Sequence, residues 1–295
     1  MSKEISAALV KELRERTGSG LMECKRALVD TSGDVEAAIE LMRKQGLVKA
    51  DKKAGRIAAE GRIVLKMSAD GKVGAMAEIN CETDFVAKAD DFIGFADRVL
   101  ARALEARISD VEQLLAAPSE AGGAVTIDTV RRELVAKIGE NVAIRRIALF
   151  QGDVVAGYLH GTRIGVLVDM KGGDATLARD IAMHVAASKP VAIDENQVPA
   201  ELIAHEREIF VAQASESGKP PEIVEKMVAG RIKKFLAETT LVGQPFVKDP
   251  DTTVGKLLTG AKASVTRFTR FEVGEGIEKV TADFAAEVMA QVRGG

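Results

Sequence analysis

Apolar residues first recur at helical spacing. Ile5, Leu9 and Leu13 follow one another in steps of four, and Val35, Ala38, Ile39 and Met42 fit i, i+3, i+4, i+7. Gly18 and Gly46 serve as stop signals, and Thr31 stands three residues before Asp34 in the manner of a capping box. Residues 4 to 46 therefore predict three short helices. The loop TGSGLME sets Leu21 and Met22 behind two glycines, either as core residues or as apolar side chains on display. VKADKKAGR, 48 to 56, is rich in lysine and predicts a linker.

From Gly61 the period changes to two, with a hairpin signal at SADGK. GRIVLKMSADGKVGAMAEIN, 61 to 80, lies without a gap over GDVVAGYLHGTRIGVLVDMK, 152 to 171, placing Gly61 on Gly152, Gly74 on Gly165 and Ile79 on Met170. Each copy predicts two strands and then an amphipathic helix, starting near Thr83 and near Asp174. Between them, VRRELVAKIGENVAIRRIALF predicts a helix ending at Gly139 and a strand opening the second copy, after a loop at 116 to 124. Residues 199 to 217 and 221 to 238 form two helices broken by SGKPPE. Their short connection makes an antiparallel hairpin, with Ile203, Ile209 and Phe210 facing Ile223, Met227 and Ile232. The segment FVKDPDTTVGKLL leads back through a turn and short helix to the strand ASVTRFTRFEVG, and Thr281 caps a last helix, TADFAAEVMAQV.

The fold class is thus α+β, in five regions: a three-helix module, 1–55; a first core subdomain, 56–143; a second, 144–190 and 239–274; the helical hairpin, 191–238; and a C-terminal module, 275–295. A chain of 295 residues has room for this. The net charge of −3, with acids and bases interspersed, gives no field for nucleic acid or an anionic membrane. Trp is absent and Tyr158 is the one tyrosine, so no base-stacking platform is expected either. Met1 to Ile5 is charged, unlike a secretory signal, and no run approaches the ~18 apolar residues of a membrane span. The expected location is the cytoplasm.

Candidate chemistry is sparse. Cys24 and Cys81 lack metal-site or disulfide spacing and are expected as buried small hydrophobes. His160, His184 and His205 are isolated, and TGSG lacks the lysine of a phosphate loop. An enzyme using Cys81, Glu82 and a histidine would need a base that the sequence does not place beside them. A non-catalytic scaffold, its three-helix module a peptide-binding adaptor and its hairpin an oligomerisation arm, is the other alternative. One pair stands out: Asp84 and Phe85, side by side where a strand hands over to a helix. On a single helical wheel Phe85 falls in line with Phe92, Ala96, Val99 and Ala103, a core stripe, and Asp84 suits a helix N-terminus. The repeat points the other way. At the matching offset the second copy carries Ala175 and Thr176, so the scaffold does not demand an acid and an aromatic there.

LRERTGSGLMECKRAL (13 to 28) and EINCETDFVAK (78 to 88) resemble the two signature motifs of the bacterial elongation factor Ts family. IGENVAIRR, HGTRIGVLV, IAMHVAASKP, SGKP, GQPFV and RFEVGEGIEK also resemble that family, in the same order along the whole chain. The resemblance implies an N-terminal module of ubiquitin-associated type, two related core subdomains, an inserted hairpin and a C-terminal module. It implies a nucleotide exchange factor for elongation factor Tu, GDP-bound and nucleotide-free, with no covalent chemistry, cofactor or metal of its own. Thr83, Asp84, Phe85 and Val86 would then displace the partner's magnesium ion, with Phe85 as a wedge. Arg14, Leu21, Met22 and His160 would be further contacts. The hairpin could serve a homodimer or brace the complex.

Overall fold

A computed structural model describes residues 5–216 and 218–278 of the chain. The helix expected after Thr281, and with it most of the 275–295 region, lies outside the described residues. Three helices come first: α1 (Ala7–Thr17), α2 (Leu21–Asp30) and α3 (Val35–Lys53). They close over Leu13, Cys24, Leu28 and Ala38. Asp34 caps α3 by accepting from the Ala37 N–H, whereas Thr31 ends α2, its hydroxyl donating to the Ala27 carbonyl. The N-cap is therefore Asp34 rather than Thr31, and with Ala37 three residues on no reciprocal capping box forms.

The third helix does not stop at Gly46. It runs seven residues further through most of the lysine-rich stretch expected as a linker, because Gly46 and Ala50 are buried. A β-carbon on Gly46 would stand 3.0 Å from that of Ala136, on helix α7 (Ile127–Ile138). Glycine here permits close helix packing rather than ending the helix. Arg43 to Glu133 at 2.8 Å and an Arg132–Asp51 ion pair flank the contact.

The repeat forms two sister sheets. In the first, β1 (Glu60–Met67), β2 (Val73–Cys81) and β3 (Ala143–Gln151) lie in that order, all antiparallel. In the second, β4 (Val154–His160), β5 (Ile164–Lys171) and β8 (Ser264–Glu272) do the same. The strand expected to open the second copy is therefore β3, which completes the first sheet, and a division at 143/144 would cut that sheet. Pairing of β3 with β2 spans some sixty residues of intervening helices and leaves no local signal. The repeat extends to irregularities, for the register shifts between Glu78 and Ile79 in β2 and between Asp169 and Met170 in β5, which the alignment superposes.

Both central strands are covered on both sides. Ala75, Ala77, Ile79 and Cys81 of β2 face the helices of the first unit, α5 (Asp90–Ala106), α6 (Val111–Ala116) and α7. Val166, Val168 and Met170 of β5 face α8 (Ala175–Ser188) and α11 (Val254–Gly260). The alternate residues, with Met76 and Leu167 at their centre, meet where the sheets stack. At the rim, Arg146 of β3 lies 4.4 Å over the Phe271 ring of β8, and Arg267 of β8 lies 4.2 Å over the Phe150 ring of β3. Each arginine also pairs with the buried acid of its own sheet, Arg146 with Glu78 at 2.5 Å and Arg267 with Asp169 at 3.1 Å.

The hairpin consists of α9 (Ala200–Ser215) and α10 (Pro221–Thr239), joined over Ala214 and Val228. Ile209 and Ile223, expected in the seam, are exposed; the turn of each helix points them away from it. At its base β6 (Pro245–Phe246) and β7 (Asp249–Thr253) form a small ladder. There His184 of α8 donates from Nε2 to Gln244 Oε1 at 2.9 Å and accepts the Val247 N–H on Nδ1 at 3.2 Å. Gln244 donates in turn to the Ser188 and Glu238 carbonyls, so the arm is clasped to the body.

Two outcomes follow from this packing. A β-carbon at Gly165 would meet Ile63 at 2.5 Å, so Gly165→Ala should lower stability by about 1–3 kcal/mol. Gly94→Ala, in open space on α5, should raise it by ~0.5–1 kcal/mol, both read by urea unfolding. Burial holds the His184 pKa below the ordinary 6.5. The unfolded chain then takes up the proton first, so this stability is present above that value and is lost as pH falls below it. Melting points recorded from about pH 7.5 to about 5.5 should fall, and fall less in His184→Gln.

Candidate functional site

The junction after β2 is a short, separately capped piece of chain. Helix α4 (Asp84–Ala87) is one turn long, and Thr83 caps it by accepting the Val86 N–H at 3.4 Å. Lys88 and Ala89 break the run, Ala89 in extended conformation, and α5 then begins at Asp90 and Asp91. Acids in the first turn favour a helix start there through the helix dipole. The break decides the fate of Phe85. Phe92, Ala96, Val99 and Ala103 form the expected buried stripe, but Phe85 is on a different helix and is 83% exposed. It is not a core residue.

Asp84 and Thr83 are exposed beside it, whereas Val86 is half-buried and packs on the first core. Asp84 Oδ2 accepts from Lys88 Nζ at 2.7 Å, and this ammonium holds its carboxyl below the usual carboxylate range. The element thus presents a large apolar ring and an ionised acid together, anchored through Val86.

Four residues hold the junction from behind: Arg56, Glu82 within EINCETDFVAK, and Glu140 and Asn141 within IGENVAIRR. Glu140, in the turn between α7 and β3, accepts the Glu82 N–H at 3.2 Å, the Thr83 N–H at 3.0 Å and the Thr83 hydroxyl at 2.7 Å. Glu82 accepts the Asn141 N–H at 2.6 Å and pairs with Arg56 at 2.6 Å. The Asn141 side chain donates to the Ala54 and Arg56 carbonyls, just beyond α3. A sequence offers only the acids and the glycine turn; that they meet is set by the β2–β3 pairing.

Cys81 closes the strand beneath, its thiol donating to the Thr83 carbonyl at 3.2 Å. Burial first, then the nearby Glu140 and Glu60 carboxylates, push the thiol up to about 12. A thiol so placed is not a nucleophile near neutral pH, and the buried His184 is committed to Gln244 and Val247 in the second unit. Among the described residues no cluster of three or more His, Cys, Asp or Glu side chains could hold a metal ion.

The remaining candidates occupy other elements. Leu21 and Met22 open α2 and are 54% and 68% exposed, so they are displayed rather than core. Arg14 is exposed on α1, and His160 is exposed at the end of β4, its Nδ1 3.4 Å from the Tyr158 hydroxyl. In the sister unit Asp174 caps α8, which continues unbroken from the exposed Ala175 and Thr176. The projecting turn belongs to one unit alone.

Comparison with known proteins bears on the whole chain. The family profile described as elongation factor TS matches residues 82–275. The elongation factor Ts of Methylococcus capsulatus is 67% identical over 291 residues, covering 98% of this chain and 99% of that protein. Those of Alkalilimnicola ehrlichii and Thioalkalivibrio sulfidiphilus are 63% and 61% identical over 292 and 293 residues, with the same coverage. Agreement of this extent, through the junction and the turn that holds it, makes this chain a member of the elongation factor Ts family.

Proposed function

We propose that this chain binds elongation factor Tu carrying GDP and promotes exchange of GDP for GTP by disturbing the magnesium and phosphate site of that partner. Family membership makes it a translation elongation factor that exchanges nucleotide and does no covalent chemistry of its own. The carrying observation is Phe85, an aromatic ring left 83% exposed beside an ionised acid on a turn braced from behind.

A GTPase holds its nucleotide through backbone donors, phosphate contacts and a bridging magnesium ion. A factor that binds best when those contacts are weakened lowers nucleotide affinity by the same factor that nucleotide lowers its own. Burying the Phe85 ring in the partner would supply about 1.5–3 kcal/mol toward that differential binding. Asp84, already ionised, can compete for donors around the metal. Val86 secures the turn, and Thr83 caps it. Arg14, Leu21 and Met22 on the N-terminal module and His160 on the second sheet provide further contact. The arm of residues 191–238 braces the complex or pairs with a second copy of the chain. Translation occurs in the cytoplasm, and no helix among the described residues is long and apolar enough to cross a membrane.

Substoichiometric chain should accelerate release of a fluorescent GDP from elongation factor Tu; a stoichiometric or absent effect would favour an adaptor. Phe85→Ala should change thermal stability by no more than about 0.5 kcal/mol, against about 3–5 for a core phenylalanine. The same substitution should slow exchange roughly 10- to 100-fold. Asp84→Ala should also slow exchange, by a factor that shrinks once magnesium is chelated; an equal factor with and without chelator removes the metal role.

A further inference from the structure

We infer that Glu140 is the positioning residue of the exchange element, its single carboxylate fixing the direction in which Phe85 projects; the inference rests on Phe85 being the group that enters the partner. Helix α4 has four residues, none buried, and one turn of helix does not sustain itself. Phe85, being exposed, contributes nothing to its own placement. Val86 anchors the turn on the core from below, and what sets its direction acts at its N-terminal end, where the N–H groups lack helical partners.

Glu140 acts there on three donors at once. One oxygen, Oε2, accepts the N–H groups of Glu82 and Thr83, and the other, Oε1, accepts the Thr83 hydroxyl. With its proton committed to Glu140, the hydroxyl turns a lone pair toward the Val86 N–H, so the cap is aimed by the carboxylate. Glu140 is itself held. Gly139 ends α7 in left-handed conformation with φ 88°, which turns the chain back toward β2. The next residue, Asn141, is buried and returns the bond by donating its N–H to Glu82. Glu82 and the Glu140–Asn141 turn thus exchange carboxylate-to-amide bonds across the gap between β2 and β3. Through the Asn141 amide and Arg56 the same knot reaches the end of α3.

A geometric role and a charge role predict different substitution patterns. Glutamine can rebuild every bond: its carbonyl oxygen replaces Oε2, and its NH2 group donates to the Thr83 oxygen, which keeps a lone pair for Val86. Alanine strands both backbone donors. At saturating chain, Glu140→Ala should slow GDP release from elongation factor Tu about tenfold or more, with a much smaller change in the half-saturating concentration. Glu140→Gln should restore most of the rate, and amide hydrogen exchange at Glu82 and Thr83 should quicken in the alanine variant only. In a Phe85→Ala background, Glu140→Ala should add little, since both act through one group. Thr83→Val should slow exchange, quicken hydrogen exchange at the Val86 amide that Thr83 caps, and add little in the Phe85→Ala background, which keeps the test intact where the alanine variant fails to fold.

A glutamine variant as slow as alanine, an equal added loss in the Phe85→Ala background, or a Thr83→Val chain exchanging at the full rate would each overturn the positioning role while leaving the wedge in place. Phe85→Ala exchanging at the full rate would instead remove the wedge, and the inference with it.

Discussion

The stacking of two sister sheets is the constraint on which the rest of the molecule depends. Met76 and Leu167 meet at its centre, and glycine at 74 and 165 leaves the room that each needs. At the rim each third strand sends an arginine over the other's phenylalanine while holding the acid of its own sheet. Because one face of each sheet is consumed in this contact, helices must cover the other, giving four layers: helices, sheet, sheet, helices. Every junction between a central strand and its following helix then lies at the edge of a rigid body, where a projecting group is held in a fixed frame.

Duplication makes the asymmetry between the two units visible. Thr83 and Asp174 occupy matching positions and both cap a helix, so the strand-to-helix handover is common property. The break at Lys88–Ala89, the exposed Phe85 and the Glu140 carboxylate belong to the first unit. An exposed phenylalanine adds little to folding. The same first unit also seats the N-terminal module, through α3 on α7, so that module and the Phe85 turn both lean on one helix and the turn that follows it.

Much of this was legible in the sequence, and the exceptions have physical reasons. The period-two repeat predicted both hairpins, and its alignment even superposes their bulges. Gly46 misled because a mid-helix glycine and a stop signal look alike until Ala136 is seen beside it. The lysine-rich stretch remained helical on the strength of two small buried residues, too few for a clear period. The pairing of β3 with β2 is non-local and has no sequence mark. The helical wheel wrongly placed Phe85 in the core because it assumes one unbroken helix; the acids Asp90 and Asp91 were the available hint of a second start. Glu140 was invisible as a partner of Thr83, since only the sheet brings residues 57 apart into contact.

The central claim is that the ring at position 85 enters the magnesium and phosphate site of elongation factor Tu. A photo-crosslinking aromatic amino acid placed at 85, irradiated in the complex with nucleotide-free elongation factor Tu and mapped by mass spectrometry, tests it most directly. The expected adducts lie on the partner residues surrounding its metal and phosphate site, and added GDP with magnesium should suppress them. Adducts confined to a distant surface of the partner, or an unchanged yield with GDP and magnesium present, would contradict it.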